Sequence, residues 1–141
     1  MMPTSFLNRL VGSWSVERKI VHNSGGEFSF SGTAEFSWIS GCEVKYKETG
    51  LLNDGGGDSI SASRVNVYKV LPSGELQVFL EDGSEFFNFM PQCGESFDVE
   101  HHCGDDVYLG SHVFMDQEIV MNWSVRGPSK SYDSHSILTR N

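Results

Sequence analysis

The strongest constraint on this chain is an alternation of apolar and polar residues with a period of two, which runs through most of its 141 residues. Residues 28–38 are the clearest example, because aromatic, glycine and alanine positions alternate there with serine, threonine and glutamate. Residues two apart in a strand face the same side of a sheet, so the pattern predicts a strand with one buried and one solvated face. Helical periodicity is confined to residues 4–10, which predicts one short N-terminal helix.

Short turns separate ten segments of this kind, and Asp82-Gly83 is a strong hairpin signal. The predicted strands are 14–22, 28–38, 42–50, 60–70, 75–81, 85–90, 96–103, 107–115, 119–125 and 131–140. Consecutive strands without crossover helices favour an up-and-down antiparallel meander, and closure would remove its exposed edges. We therefore predict an all-β, closed antiparallel β-barrel of about ten strands with a short N-terminal helix, as a single domain over residues 1–141.

Composition narrows the function classes. The formal net charge of −9 disfavours nucleic acid and anionic membranes as partners, since their phosphates would be repelled. No apolar run is long enough to span a bilayer, and the first residues lack the basic and apolar regions of a signal peptide. Three cysteines, an odd number without framework spacing, favour reduced thiols. We expect an acidic cytoplasmic protein, and homo-oligomerisation stays open.

The two ends of the chain carry a structural signal. Gly12-Ser13-Trp14 opens the first predicted strand, and Arg140 lies one residue from the C-terminus. A tryptophan at this place would plug the narrow end of a barrel, and a terminal guanidinium can stack on its face through a cation–π contact. We interpret Trp14 and Arg140 as a structural plug.

Gly12-x-Trp14, together with Arg140 at the other end of the chain, resembles the pattern of the lipocalin-like (calycin) superfamily of ligand-holding barrels. A closer resemblance, to a lipocalin-like family known only as domains of unknown function, covers nearly the whole chain. It rests on Gly12-x-Trp14-x3-Arg18-x-Ile20, Gly32-x-Ala34-x-Phe36, Tyr46-x-Glu48-x-Gly50, Ala62-x-Arg64, Asp82-Gly83, His101-x-Cys103-x2-Asp106-x-Tyr108 and Trp123-x-Val125-x-Gly127-Pro128-x-Lys130-x-Tyr132-x3-Ser136-x3-Arg140. The sequence departs from that pattern at Ser84 and Phe87, where a basic residue and a histidine are usual. The resemblance implies a barrel with an enclosed site and no assigned reaction.

If Trp14 faces inward, the residues at every second position of its strand face inward too, and the same alternation can be followed along the other strands. This parity places many polar residues inside the barrel. Buried charges must pair, hydrate or meet a ligand. We expect Arg18 and Arg64, with Tyr132 and Tyr46 as hydroxyl donors, to form a forked site for a carboxylate or phosphate. The candidate ligand-binding residues are Arg18, Tyr46, Glu48, Arg64, Tyr68, His101, Tyr132, Phe36, Trp38 and Trp123. Phe28, Phe30 and Met121 would add apolar wall, so we predict a small, partly apolar ligand with an anionic or polar head.

Two alternatives stay open. If Glu48 bridges Arg18 and Arg64, the interior charges form a closed structural network, as in a barrel used only for protein interaction. Alternatively, Glu48 and Tyr46 are weak candidates for the acid and base of a small isomerase or lyase. The arginines oppose the second alternative, because they would lower the pKa of Glu48.

No metal or cofactor is predicted. His101 and Cys103 share a strand face near Asp106, but they offer two or three converging ligands where structural zinc usually has four. Haem ligation through His22, His112 or His135, as in nitrobindin-like barrels, is supported by no motif.

Overall fold

The computed structural model of the protein describes residues 2–141, and within them it has one helix and ten strands. The helix is α1 (Pro3–Leu10). The strands are β1 (Gly12–His22), β2 (Glu27–Ser40), β3 (Glu43–Asn53), β4 (Ser59–Val70), β5 (Leu76–Leu80), β6 (Glu85–Phe89), β7 (Phe97–Cys103), β8 (Asp106–Phe114), β9 (Glu118–Arg126) and β10 (Ser131–Arg140). The predicted all-β fold, its ten strands and its short N-terminal helix are confirmed.

The strands form one antiparallel sheet that curls into a nearly closed barrel. Its order is β6-β5-β4-β3-β2-β1-β10-β9-β8-β7, so consecutive strands pair everywhere except between β6 and β7, and β1 also pairs with β10. In the described chain no backbone ladder joins the end strands, β6 and β7. Aromatic contacts cover this seam instead: Phe89 stacks on Phe97 at 4.7 Å between centroids, and Phe86 meets His101 edge-on at 5.0 Å.

Helix α1 closes one end of the barrel by burying Phe6, Leu7 and Leu10. It begins at Pro3, one residue before the predicted start, because proline's missing N–H and fixed φ suit the first helical position. Among residues 2–141, no helix has the length and apolar character needed to cross a membrane.

Trp14 and Arg140 join the helix to the barrel. The fully buried Trp14 donates from Nε1 to the Leu10 carbonyl at 2.9 Å, which satisfies an acceptor at the helix C-terminus. The Arg140 guanidinium lies 4.2 Å from the centroid of the Trp14 ring, and it also donates to the carbonyls of Arg9, Val11 and Asp116. These contacts tie the last strand to the first.

Strands β2 and β3 approach each other unusually closely at Gly32 and Gly50, which are register partners. A Cβ atom built on Gly32 would lie 2.2 Å from the Thr49 carbonyl oxygen and 2.8 Å from Cα of Gly50. Both obstacles are backbone atoms, so no side chain can move aside. Glycine therefore permits the close passage of the two strands at this point.

The close passage gives a prediction about stability. We expect Gly32→Ala to lower the free energy of unfolding by about 2–3 kcal/mol, because the backbone must shift to admit the methyl group. Gly41→Ala is the matched control, since a Cβ there would meet nothing within 4 Å. Urea denaturation followed by circular dichroism measures both, and equal midpoints for the two variants would contradict the steric account.

Candidate functional site

A buried ion pair crosses the barrel interior. Arg18 on β1 donates from Nη1 and Nη2 to the two carboxylate oxygens of Glu48 on β3, at 2.7 and 2.9 Å. Its Nε donates to Oγ of Ser136 on β10 at 2.6 Å, and the Tyr46 hydroxyl donates to Glu48. The exposed fraction of Arg18 is 8% and that of Glu48 is 2%. All three guanidinium nitrogens of Arg18 are therefore hydrogen-bonded within the protein. Arg18 is not free to bind an anion together with Arg64 in the way that the sequence had predicted.

The ion pair keeps Glu48 ionised. Burial by itself would raise the pKa of the carboxyl, but the hydrogen bonds and positive charge of Arg18, with the charge of Arg64, hold that pKa below its ordinary value. Burial and the negative charge of Glu48 raise the pKa of Tyr46, which therefore stays protonated. A carboxylate that is saturated and hidden from solvent is poorly suited to proton transfer, so this geometry weighs against an acid–base role for Glu48 and Tyr46.

Beyond the ion pair the barrel holds a cavity of about 370 Å³. Its mouth is at the end of the barrel where β1 turns into β2. The cavity is lined by Arg18, Ile20, His22, Phe28, Leu52, Arg64, Asn66, Leu80, Phe86, His101, Tyr108, Trp123, Tyr132 and Ser134. The Arg18 guanidinium contributes to its floor, while most of the wall is aromatic or aliphatic.

Arg64 is the cation that the cavity leaves without a partner. It lies opposite Glu48 in the β3–β4 register, yet Arg18 takes both carboxylate oxygens. Within the described chain the Arg64 guanidinium makes no hydrogen bond or ion pair, and the residue is solvent-exposed. At the mouth, Lys130 Nζ donates to the Tyr108 hydroxyl at 2.8 Å. Positive charge is therefore available at the wall and the rim of the cavity.

The candidate residues from the sequence divide into three groups. Those that line the cavity are Arg18, Arg64, His101, Trp123 and Tyr132. Those buried beneath it, in contact with the ion pair or with one another, are Tyr46, Glu48, Tyr68 and Phe36. Trp38 lies near the end of β2 with 41% of its surface exposed, and it does not border the cavity.

The candidate residues from the sequence did not include Phe86, Leu52, Leu80 and Tyr108, which line the cavity. Leu52 continues the inward alternation of Tyr46 and Glu48, but it lies beyond the predicted end of that strand at residue 50. The reason is clearest at Phe86, because the β5–β6 register shifts between Val78 and Phe79. As a result two consecutive residues reach the interior: Phe86 stacks on Trp123 at 5.1 Å, and Phe87 meets His112 at 5.3 Å. A β-bulge breaks the rule that neighbours face opposite sides. Two adjacent phenylalanines were the only signal in the sequence.

His112 lies among aromatic rings and has neither nitrogen hydrogen-bonded. It is fully buried, and the rings of Phe87, Phe97, Phe114 and Trp123 surround it at 5.0 to 6.4 Å between centroids. Burial without a partner lowers its pKa to about 4, so the imidazole is neutral at pH 7.

The side chains considered as metal ligands do not converge. His101 lines the cavity, Cys103 is exposed, and the Asp106 carboxylate accepts a hydrogen bond from the Ser129 amide at 3.1 Å. Within residues 2–141, no three His, Cys, Asp or Glu side chains are grouped so that they would hold a metal ion.

A larger depression, of about 770 Å³, lies on the outside of strands β7 to β10 and β1. It is open to solvent, and most of its charged groups already have partners: Lys19 pairs with Glu27, Asp133 pairs with Arg126, and Glu100 is hydrogen-bonded to His102. We take the interior cavity as the candidate site, because it combines enclosure, apolar wall and an unpaired cation.

The buried pair gives a test by substitution. Arg18→Met should lower the free energy of unfolding by about 3–5 kcal/mol, because it strands the Glu48 carboxylate in the interior. The double variant Arg18→Met, Glu48→Leu should regain most of that loss, since neither charge remains. Chemical denaturation measures both. Lys19→Met, which removes an exposed pair, is the control and should cost less than about 1 kcal/mol. A double variant no more stable than Arg18→Met would contradict the proposed cause.

His112 predicts a dependence of stability on pH. Its pKa is lowered from 6.5 to about 4 in the folded protein, so the unfolded state binds more protons between these values. Stability from this group is present above pH 6.5 and is lost as the pH falls, by up to about 3 kcal/mol below pH 4. We expect His112→Phe to lose less stability than the wild type over this range in denaturation series. Parallel pH profiles for the two proteins would contradict the prediction.

The same architecture occurs in solved structures. The S-type phycobiliprotein lyase CPES from Guillardia theta is 14% identical, with a TM-score of 0.64, over 100% of this chain and 93% of that one. Rv2717c from M. tuberculosis is 14% identical, with a TM-score of 0.62, over 100% of this chain and 98% of that one. The EF1p2_mFAP2b barrel bound to DFHBI is 13% identical, with a TM-score of 0.52, over 99% of each chain. Identity this low shows a shared β-barrel fold alone.

No curated protein matches this sequence. A family model does match, over residues 10–140, which includes every strand and the floor and wall of the cavity. The chain therefore belongs to the family of unknown function DUF6314.

Proposed function

We propose that this protein binds a small, partly apolar molecule with an anionic head in its interior cavity. The observation that carries the proposal is Arg64, a guanidinium without a partner in the wall of a cavity that is otherwise largely aromatic and aliphatic. A few polar groups among apolar walls are the usual design of a small-molecule site, in which they fix the orientation of the ligand.

The head group would lie between Arg64 and Tyr132. Burial and the neighbouring Tyr108 raise the pKa of the Tyr132 hydroxyl by more than the charges of Arg64 and Lys130 lower it, so the hydroxyl stays protonated. It would donate to the head group in place of its interaction with Tyr108. A guanidinium and a hydroxyl donor together match the oxygens of a carboxylate. Arg18 supports this site from the floor with its charge already neutralised by Glu48.

The net charge of −9 does not prevent an anion from binding here. At physiological ionic strength, charges on the outer surface are screened beyond about 8 Å, so the nearest groups decide the local preference. Those groups are Arg64 in the wall and Lys130 at the rim, where the hydrogen bond with Tyr108 raises the pKa of the ammonium group and keeps it charged.

The relatives support the proposal by analogy of fold. EF1p2_mFAP2b, which has a similar fold, is bound to DFHBI, so a fold of this kind is compatible with a small molecule. We also propose a cytoplasmic location, because Cys42 and Cys103 are exposed free thiols and reducing compartments preserve them.

The role of Arg64 can be tested with matched anionic and neutral probes. We expect Arg64→Met to weaken octanoate and 2-naphthoate binding about tenfold in isothermal titration calorimetry, because the head group loses its charge-assisted hydrogen bonds. Binding of the neutral analogues 1-octanol and 2-naphthalenemethanol should change little.

Lys47→Met is the matched control, since it removes one positive charge from the exposed outer face of the neighbouring strand. It should leave all four affinities unchanged. The proposal fails if no probe binds the wild type, or if Arg64→Met and Lys47→Met bind the carboxylates equally well.

A further inference from the structure

Seven of the fourteen residues that line the cavity carry rings, and these rings decide what shape fits. They form two groups. The first wall is His22, Phe28 and Tyr132, and the second wall is Phe86, His101, Tyr108 and Trp123. Every one of the seven residues is partly exposed, although the core rings beneath them are buried. Aromatic surface therefore lies uncovered on both sides of the cavity.

Within each wall the rings touch. His22 meets Phe28 at 5.1 Å and Tyr132 at 5.8 Å between centroids, and in the second wall Phe86 lies nearly parallel to Trp123. The two walls meet at one point, where the Tyr132 and Tyr108 side chains interact; elsewhere among the described residues no contact between rings joins them. Away from this point the two walls flank the cavity, and an aromatic body placed there could contact rings of both walls.

The floor limits how long the occupant can be. Arg18 and the rim residue His22 are four residues apart on β1, which is at most about 13 Å along the strand, and less along the axis of a tilted strand. The Arg18–Glu48 pair closes the cavity from below, with the packed Phe36, Tyr46 and Tyr68 rings under it. A long alkyl chain would meet this charged floor or extend back into solvent.

We infer that the ligand is a compact, flat aromatic anion, such as an aromatic carboxylate. Its ring system would lie between the two walls, and its carboxylate would reach Arg64. This inference rests on the proposed function, because it specifies the ligand class of the same cavity. It sets the site apart from one for long-chain fatty acids.

The test compares two carboxylates with the same carbon skeleton and charge. 2-Naphthoate is flat and aromatic, whereas trans-decahydro-2-naphthoate is saturated and puckered. We expect the wild-type protein to bind 2-naphthoate about tenfold more tightly in calorimetry, since only the flat ring makes aromatic contacts with the walls. Affinity should also stop rising between octanoate and hexadecanoate.

Two wall variants connect that preference to the rings. Phe86→Leu in the second wall, and independently His22→Leu in the first, should reduce the ratio of the two affinities at least threefold. Phe79→Leu is the control, because it makes the same change as Phe86→Leu on neighbouring β5 at a residue that does not line the cavity. Circular dichroism checks that each variant is folded, and the two wall variants report separately.

The outcomes separate this inference from the proposed function. If neither bicyclic carboxylate nor octanoate binds in an Arg64-dependent manner, the binding function itself fails. If both bicyclic carboxylates bind equally and depend on Arg64, the cavity is an anion site and the aromatic class is overturned. A steady gain in affinity up to hexadecanoate would overturn it too, because it would show that a long alkyl chain is accommodated.

Discussion

Two opposite charges, on Arg18 and Glu48, lie together in the middle of this barrel, and each would cost several kcal/mol to bury alone. Their bidentate geometry, with Ser136 and Tyr46 taking the remaining hydrogen bonds, is what makes that burial tolerable. The pair also divides the interior into a packed apolar half on the side of Trp14 and an unfilled half toward the mouth. The cavity begins where this network ends, so the floor of the site is a structural element of the fold.

Closure of the barrel and the wall of the cavity depend on the same aromatic residues. The two end strands are not joined by a backbone ladder within the described chain, and Phe86 of β6 meets His101 of β7 across that seam. Both residues also line the cavity, where Phe86 stacks on Trp123. An occupant between the walls would therefore contact the side chains that cover the seam, and its binding would stabilise the closed arrangement of β6 and β7.

The architecture was predictable because the physics that sets it is local. A side-chain period of two fixes which residues face inward on β1, and Trp14, Val16 and Arg18 are buried there as the alternation requires. Inward charge was therefore predictable too. The partner of Glu48 was not predictable, because the alternation places both Arg18 and Arg64 inside without saying which of them reaches the carboxylate. That choice depends on the shear of the barrel and on the distance across it.

Parity fails at two further places for physical reasons. At Phe86 a bulge turns consecutive side chains inward, and a bulge depends on the register of both strands rather than on either sequence. Trp38 lies near the end of β2, where neighbouring strands no longer cover the inward face. Its alternation is inward, yet 41% of its surface is exposed. Periodicity identifies a face of a strand, and the neighbouring strands decide where along it that face is covered.

The separation of the two arginines explains how one interior can serve both stability and binding. Arg18 contributes to the fold only while Glu48 accompanies it, so its charge cannot be offered to a ligand without stranding a buried carboxylate. Arg64 is exposed to solvent, which spares the fold the cost of an unpaired buried charge. A ligand that covers Arg64 must supply the opposite charge itself, and it would then recreate around Arg64 the arrangement that Glu48 already provides around Arg18.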